Sequence, residues 1–390
     1  MPAAAIPFHR PSITAAERDA AIRVLDSGWL TTGERTLEFE EAVRRFSGSN
    51  HAVAVNSATA ALHLALEALG IGPGDEVIVP TYTFAASGEV VAYLGARPVL
   101  ADVDPRTLDL TAETIEPHLT ERTRAVMVVH FGGLVADMAG IVAVCTARGI
   151  PIVEDAAHAL PARCGGRHAG TFGAAGAFSF YATKTVTTGE GGMLVTDDQR
   201  IADRARVMRL HGISRDAWKR YTASGSWYYE IEAVGYKYNL TDLAAAIGLV
   251  QLERAEAMRL AREDVGRRYR EALGTGKVGE LLELPAEPPS GDTHAWHLYP
   301  IRLRLDRLGI DRGAVIERLR EQGIGTSVHF IPLHLHPYYR DRFGYRPDDL
   351  PVARREYERE ISLPIYPDLA GSDQDRVIET VTEVLLEARS

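Results

Sequence analysis

Gly176-Ala177-Phe178-Ser179-Phe180-Tyr181-Ala182-Thr183-Lys184, followed at once by Thr185-Val186-Thr187-Thr188-Gly189-Glu190-Gly191-Gly192-Met193, is the stretch around which the rest of the chain is arranged. An apolar, aromatic-rich run bounded by glycines predicts a short buried strand. The chain leaves it through a polar turn of small residues and resumes as Met193-Leu194-Val195-Thr196. Lys184 stands where that strand ends. A buried amine is costly unless something neutralises or uses it, and its common use is covalent, because desolvation lowers the amine's pKa. Taken alone, a lysine after a strand reads better as an exposed turn residue, since most lysines sit on the surface. The surrounding chain decides between the two.

Upstream, strand and helix signals alternate. Val77-Ile78-Val79-Pro80, Pro98-Val99-Leu100-Ala101, Ala125-Val126-Met127-Val128-Val129-His130 and Ile152-Val153-Glu154 read as strands. Helical segments separate them at 84–94, 111–119 and 141–148. Fully apolar strands in such alternation predict a mainly parallel sheet covered on both faces, and ligands of such sheets gather at the carboxyl ends of the strands. Those ends carry Asn56-Ser57-Ala58-Thr59, Thr81-Tyr82-Thr83-Phe84, His130-Phe131-Gly132-Gly133, Asp155-Ala156-Ala157-His158 and Lys184. Singly, Asp155 reads as a helix cap, His158 as a core histidine and Phe84 as core. Together they supply backbone amides and hydroxyls for a phosphate, an aromatic plate, a carboxylate and an amine, and pyridoxal phosphate needs one of each.

Size and composition set the outer limits. At 390 residues the chain exceeds one usual core, so two domains, or one with an appendage, are expected. A net charge of -10 provides no global field for nucleic acid or an anionic membrane. Cys145 and Cys164 have no metal or redox spacing, so no metal site is expected. The first residues lack a signal-peptide pattern, and no apolar run reaches the length of a membrane span, which predicts a cytoplasmic protein. Beyond a polar aromatic loop at 211–235, a long helix from Asp242 to about residue 272 links to a strand–helix–strand–helix region: strands at 297–303 and 326–330, helices at 312–322 and 373–388. That predicts a small C-terminal α+β domain.

Several ordered motifs resemble the DegT/StrS family of nucleotide-sugar aminotransferases. They are Asn56-Ser57-Ala58-Thr59-Ala60, Gly72-Pro73-Gly74-Asp75-Glu76-Val77-Ile78, Glu154-Asp155-Ala156-Ala157-His158, Phe178-Ser179-Phe180 before Lys184, Gly189-Glu190-Gly191-Gly192, and Gly235-Tyr236-Lys237-Tyr238-Asn239-Leu240-Thr241-Asp242. The resemblance runs from about Pro7 to the C-terminus. It implies an α/β, aspartate-aminotransferase-like fold (PLP fold type I), with residues 1–250 as the large PLP-binding domain and 251–390 as linking helix and small domain. It also implies a homodimer with shared active sites. Lys184 would form the imine with PLP, Asp155 would pair with the pyridinium nitrogen, and Phe84 would stack on the ring. His158 would pack beside that ring. Amides of Ala58 and Thr59 and the Ser179 hydroxyl would hold the phosphate, and Asn239 would reach the phosphate in the partner subunit. Catalysis would rest on Lys184, Asp155 and His158.

The same resemblance implies transfer of an amino group from L-glutamate, through PLP and pyridoxamine phosphate, to a keto sugar linked to UDP or dTDP. Ser27-Gly28-Trp29-Leu30-Thr31-Thr32-Gly33, His294-Ala295-Trp296-His297 and Gly323-Ile324-Gly325-Thr326-Ser327-Val328-His329-Phe330 look most like members that aminate C4, including the aminoarabinose-pathway enzyme. Alternatives are a 3-keto sugar, a keto-cyclitol, or a non-catalytic regulatory homologue. Candidate substrate contacts are Trp29, Thr31, Tyr181, His329 and the loop holding Trp218, Tyr221, Trp227 and Tyr228, although His329 reads equally as a structural residue.

Overall fold

The computed structural model describes residues 5–213 and 228–390. Its large sheet is built from β1 (His51–Val55), β2 (Glu76–Pro80), β3 (Arg97–Ala101), β4 (Thr123–Val129), β5 (Ile152–Asp155), β8 (Ala175–Ser179) and β9 (Gly192–Thr196), in the order β1-β9-β8-β5-β4-β2-β3. A short antiparallel hairpin, β6 (Arg163–Cys164) with β7 (Arg167–His168), intervenes between β5 and β8. The run β3-β2-β4-β5-β8 is parallel throughout, and β9 is antiparallel to both of its neighbours. Every residue of β2, β8 and β9 is buried, as strands covered by helices on both faces require.

The opening stretch is β8, its turn and β9, and two glycines explain how tightly it closes. A Cβ on Gly176 would lie 2.1 Å from the carbonyl oxygen of Gly170, and one on Gly192 would lie 2.3 Å from the carbonyl carbon of Ser57. Only glycine admits such approach. The second contact presses the start of β9 against the turn that opens helix 58–68.

The small sheet is antiparallel, β10 (Leu282–Glu283), β11 (Tyr299–Leu303) and β12 (Glu360–Leu363), in that order. Tyr269, Tyr299, Ile301, Leu319, Ile361, Leu363, Val377 and Leu385 form its core with helices 255–273, 312–321 and 371–387. The N-terminal segment joins this core through Ile6, whose N–H donates to the Gly323 carbonyl at 2.8 Å and whose carbonyl accepts from Gly325 N–H at 2.8 Å.

Two expectations for this half are corrected. Residues 326–330 form no strand: Ser327 makes a single bridge to Ser362, and the His329 N–H donates to the Glu360 carboxylate at 2.8 Å instead of to a ladder carbonyl. The linking helix is two helices, Asp242–Glu253 and Ala255–Leu273, meeting at Arg254, whose guanidinium is held by Glu17 at 2.6 Å and by Ser12 Oγ at 2.9 Å. Helices Pro337–Phe343 and Pro351–Arg359 and strand β12 were not foreseen. Leu333, Tyr339 and Leu350 pack into the core of the large sheet.

Candidate active site

A cavity of about 610 Å³ opens at the carboxyl ends of the parallel strands. From the sheet side, Ala58, Thr59, Phe84, Asp155, His158, Ser179, Tyr181 and Lys184 line it, and from the other side Phe8, His297, Ser327, His329 and Phe330. The predicted amine, carboxylate, aromatic plate and phosphate-binding turn thus meet in one place.

Lys184 follows β8, and its Nζ lies 3.3 Å from His297 Nε2. Burial lowers its pKa to about 8; the Asp155 carboxylate opposes this and the Arg262 guanidinium adds to it. The amine is therefore poised between base and acid near neutral pH. Arg262 is itself wholly buried, with Nη1 donating to the Ile365 carbonyl at 2.8 Å and no carboxylate beside it.

Asp155 ends β5. Its Oδ2 accepts the Ser87 hydroxyl at 2.7 Å and its Oδ1 accepts Ala157 N–H at 3.2 Å. Since Ser87 donates to the carboxylate, the Thr83 hydroxyl, 2.8 Å from Ser87 Oγ, donates to Ser87. Burial raises the Asp155 pKa, while these hydrogen bonds and the Lys184 charge hold it down. His158 is kept well below the usual imidazole range by burial and then by Lys184. Its Nδ1 accepts Gly132 N–H at 3.3 Å, so the neutral ring carries its proton on Nε2. The ring lies 4.4 Å from that of His297.

At the opposite end, helix 58–68 begins at Ser57, whose hydroxyl accepts Ala60 N–H at 3.1 Å and leaves the Ala58 and Thr59 amides to the cavity. Gly192 closes this cradle: a Cβ there would stand 2.6 Å from the Ala58 nitrogen. Ser179, nearly buried, points its oxygen at the Tyr181 N–H at 3.3 Å. Phe84 is 59% exposed although its neighbours are buried, and its ring lies 5.8 Å from Phe330, so one face is available to a flat ligand. Amides and a hydroxyl at one end, a buried carboxylate at the other, an aromatic face between and an amine of lowered pKa match the donor set for a phosphorylated pyridine aldehyde.

Other predicted residues lie elsewhere. Asn239 donates to Thr32 Oγ1 at 2.8 Å and lines a separate hollow with Asn56, Thr188 and Glu190. Trp29 donates to the Thr32 carbonyl at 3.1 Å beside a hollow shared with Arg23 and Asp242, and the Thr31 carbonyl accepts Asp242 N–H at 3.1 Å. Tyr228 is exposed, its hydroxyl donating to Glu230 at 2.5 Å. Trp218, Tyr221 and Trp227 lie outside the described residues. Among the described residues no cluster could hold a metal ion, and no helix is long and apolar enough to cross a membrane.

Sequence reasoning missed Ser87, His9 and His297. The hydroxyl spacing from Thr83 to Ser87 is one helical turn and was available as a signal. His9, whose Nε2 is 3.1 Å from the Ala182 carbonyl, comes from an N-terminal segment with no pattern to mark it.

Known proteins are similar to this chain over nearly its whole length. Protein MJ1066 of Methanocaldococcus jannaschii is 49% identical over 386 residues, covering 98% of each chain. The spore coat polysaccharide biosynthesis protein SpsC of Bacillus subtilis is 47% identical over 381 residues, 97% of each. Among solved structures, Spr1654 of Streptococcus pneumoniae, described as a candidate sugar aminotransferase, superposes in its PMP-form with a TM-score of 0.91 at 33% identity, over 98% of this chain and 100% of that one. It is also known in a PLP-form. The model of the DegT/DnrJ/EryC1/StrS aminotransferase family matches residues 11–382, so the chain belongs to that family and is an aminotransferase of the PLP-dependent α/β fold.

Proposed function

We propose that the protein moves the amino group of L-glutamate to the keto carbon, at C4, of a UDP- or dTDP-linked keto-deoxysugar, for amino-sugar biosynthesis in the cytoplasm. The observation that carries this reading is the placement of Lys184. Its amine of lowered pKa sits at the floor of a cavity with a phosphate-type cradle at one end and a polar outer wall, His329 and Ser327, at the other. The sugar-related descriptions of SpsC and Spr1654 support the substrate class.

In this reading the Ala58 and Thr59 amides and Ser179 hold the phosphate, Phe84 fixes the ring plane, and His158 packs beside it. Asp155 keeps the pyridine nitrogen protonated. Bound PLP supplies the electron sink that stabilises negative charge at the carbon losing its proton. Lys184 takes that proton from the amino donor and returns one to the carbon receiving nitrogen, a shuttle suited to an amine that titrates near neutrality. Phe8, Phe84 and Phe330 would give a bound ligand an apolar flank that displaces water.

Asn239, Trp29, Thr31 and Tyr228 act across a homodimer interface in the same proposal. The hollow of Asn239 shares Glu190 with the main cavity, which supports such a junction. Residues 1–250 are proposed as the large PLP-binding domain with its N-terminal segment, and 251–390 as the linking helix and small C-terminal domain.

A panel of nucleotide-linked 4-keto and 3-keto sugars and a keto-cyclitol, scored for glutamate-dependent amination, tests the proposal. Preferred turnover of a 4-keto sugar is expected. Preference for a 3-keto sugar or cyclitol overturns the position, and no amination of any of them overturns the substrate class.

A further inference from the structure

Behind His329 lies a buried polar chain that belongs to the small sheet. His329 Nδ1 is 2.9 Å from Ser362 Oγ, Ser362 Oγ is 2.5 Å from Glu360 Oε1, and Glu360 Oε2 accepts the His329 backbone N–H at 2.8 Å. Glu360 and Ser362 are both 0% exposed and stand two residues apart on β12, so they share a face of the strand. Ser362 also exchanges backbone hydrogen bonds with Ser327, which fixes the segment carrying His329 against β12. A carboxyl group buried this deeply is costly unless hydrogen bonds offset its desolvation, and here the partners that do so are Ser362 and the His329 N–H.

We infer that Glu360 and Ser362 form a proton relay that sets the polarity of His329 towards the cavity, an N–H at Nε2 when Glu360 holds its proton and a bare lone pair when it does not. Geometry and valence give the two states. A protonated Glu360 donates to Ser362 Oγ, Ser362 donates to His329 Nδ1, and the neutral ring must carry its hydrogen on Nε2. An ionised Glu360 accepts from Ser362, whose oxygen accepts Nδ1–H, and Nε2 is left as an acceptor. A proton arriving at Nε2 can move along the chain: Nδ1 gives its hydrogen to Ser362 as Ser362 gives its own to Glu360. One proton is gained at the carboxylate, and the ring ends neutral.

The electrostatic surroundings make a relay useful where direct protonation is not. Burial and the Lys184 charge hold His329 down to about 4, and His158 and His297 flank the same cavity as neutral rings, so an imidazolium is disfavoured. Around Glu360, burial outweighs the hydrogen bonds from Ser362 and the His329 N–H and then the attraction of Arg312 and Arg302, and raises its pKa to about 8. Tyr82, whose hydroxyl is held above its ordinary pKa by burial and then by the Glu360 charge, lies near the same group. The protonated state therefore prevails at neutral pH and Nε2 is a donor. A donor at this wall matches a carbonyl oxygen of the incoming substrate; an acceptor would match a hydroxyl or ammonium. Identifying that carbonyl with a keto sugar rests on the function proposed above, whereas the relay itself does not.

The test reads the tautomer directly. In holoenzyme labelled with ¹⁵N-histidine, with His329→Gln used to assign the signal, Nε2 is expected to pass from a protonated to a bare shift as pH rises through about 8. Glu360→Gln can place its amide nitrogen at Ser362 and its oxygen at the His329 N–H, so it should keep Nε2 protonated at every pH. Ser362→Ala should remove the pH response without the lock. In steady-state kinetics, KM for a keto substrate should rise up to about tenfold between about pH 7 and pH 9 in the wild type and stay level in Glu360→Gln. Equal pH responses of the His329 signal in wild type, Glu360→Gln and Ser362→Ala overturn the relay, as does a bare Nε2 at pH 7. Should Glu360→Gln fail to fold, the Ser362→Ala comparison alone decides. Failure of every keto sugar in the substrate panel, with the tautomer shift intact, overturns the functional reading and leaves the relay standing.

Discussion

The two walls of the Lys184 cavity are made differently. The sheet wall takes its groups from the ends of parallel strands, where a residue's place follows from the strand it terminates. Asp155, Ser179 and Lys184 each stand at or just beyond a strand, and a hydroxyl from the neighbouring helix, Ser87, tunes Asp155 at 2.7 Å. The opposite wall comes from an irregular segment at 326–330 held by one bridge and by the side chains of a distant strand. One wall is positioned by backbone ladders and the other by side-chain hydrogen bonds. The first suits chemistry that a whole family shares. The second can be altered one residue at a time, which suits recognition of a particular substrate.

Substitutions on the sheet wall should break activity hardest. Lys184→Ala is expected to lower glutamate-dependent transamination by at least ~10⁴-fold, measured by single-turnover kinetics, because the proton shuttle has no substitute in the cavity. The same lysine should burden the protein without cofactor. Its folded pKa, about 8, lies below the ordinary value of 10.5, so the unfolded chain binds more protons between those pH values. Stability of the apoprotein should therefore rise with pH across that window. At neutral pH, Lys184→Met should be more stable by up to about 3 kcal/mol, and the gap should close as pH approaches 10.5 in urea titrations.

Asp155→Asn keeps the shape and removes the charge. A loss of about 1.5–3 kcal/mol, roughly 10–100-fold in turnover with glutamate, is expected. Ser87→Ala should cost less, about 1 kcal/mol, and should raise the Asp155 pKa, since the Ser87 hydrogen bond favours its charged form. The pH profile of cofactor binding reads that shift. If Ser87→Ala instead matches Asp155→Asn in magnitude, the sheet wall depends on side-chain bonds as much as the other wall does, and the contrast between them fails.

Legibility in the sequence follows the same division. β2, β4, β5 and β8 announce themselves as apolar runs, and the polar residue ending each run is a candidate by position alone. That is why Asp155, Ser179 and Lys184, which line one cavity, can be read as candidates from the sequence. His329 stands in a motif that resembles family members and in a stretch that reads as a strand; the carboxylate that takes its N–H in place of a ladder, Glu360, is 31 residues away in sequence. β12 itself was hidden because Glu360-Ile361-Ser362-Leu363 follows directly on an arginine-rich helix, and its charged first residue gave no sign of being buried. Ser87 and Thr83 had a helical spacing to mark them. Asn239, Trp29 and Tyr228 carry motif resemblance, yet their places in one chain are away from the cavity.

The N-terminal segment bears on how the enzyme is made. Ile6 pairs with Ile324, and His9 meets Ala182 across 173 positions of sequence, so the segment that touches both the small core and the turn before Lys184 precedes all of these partners in the chain. Such long-range contacts close slowly. The outer wall is complete only once β12, whose Glu360 and Ser362 hold the His329 segment, has joined the chain, and the core of the large sheet itself takes Leu333, Tyr339 and Leu350 from this later part. Cofactor capture before that point would leave the ring exposed on the side that Phe8 and Phe330 later cover.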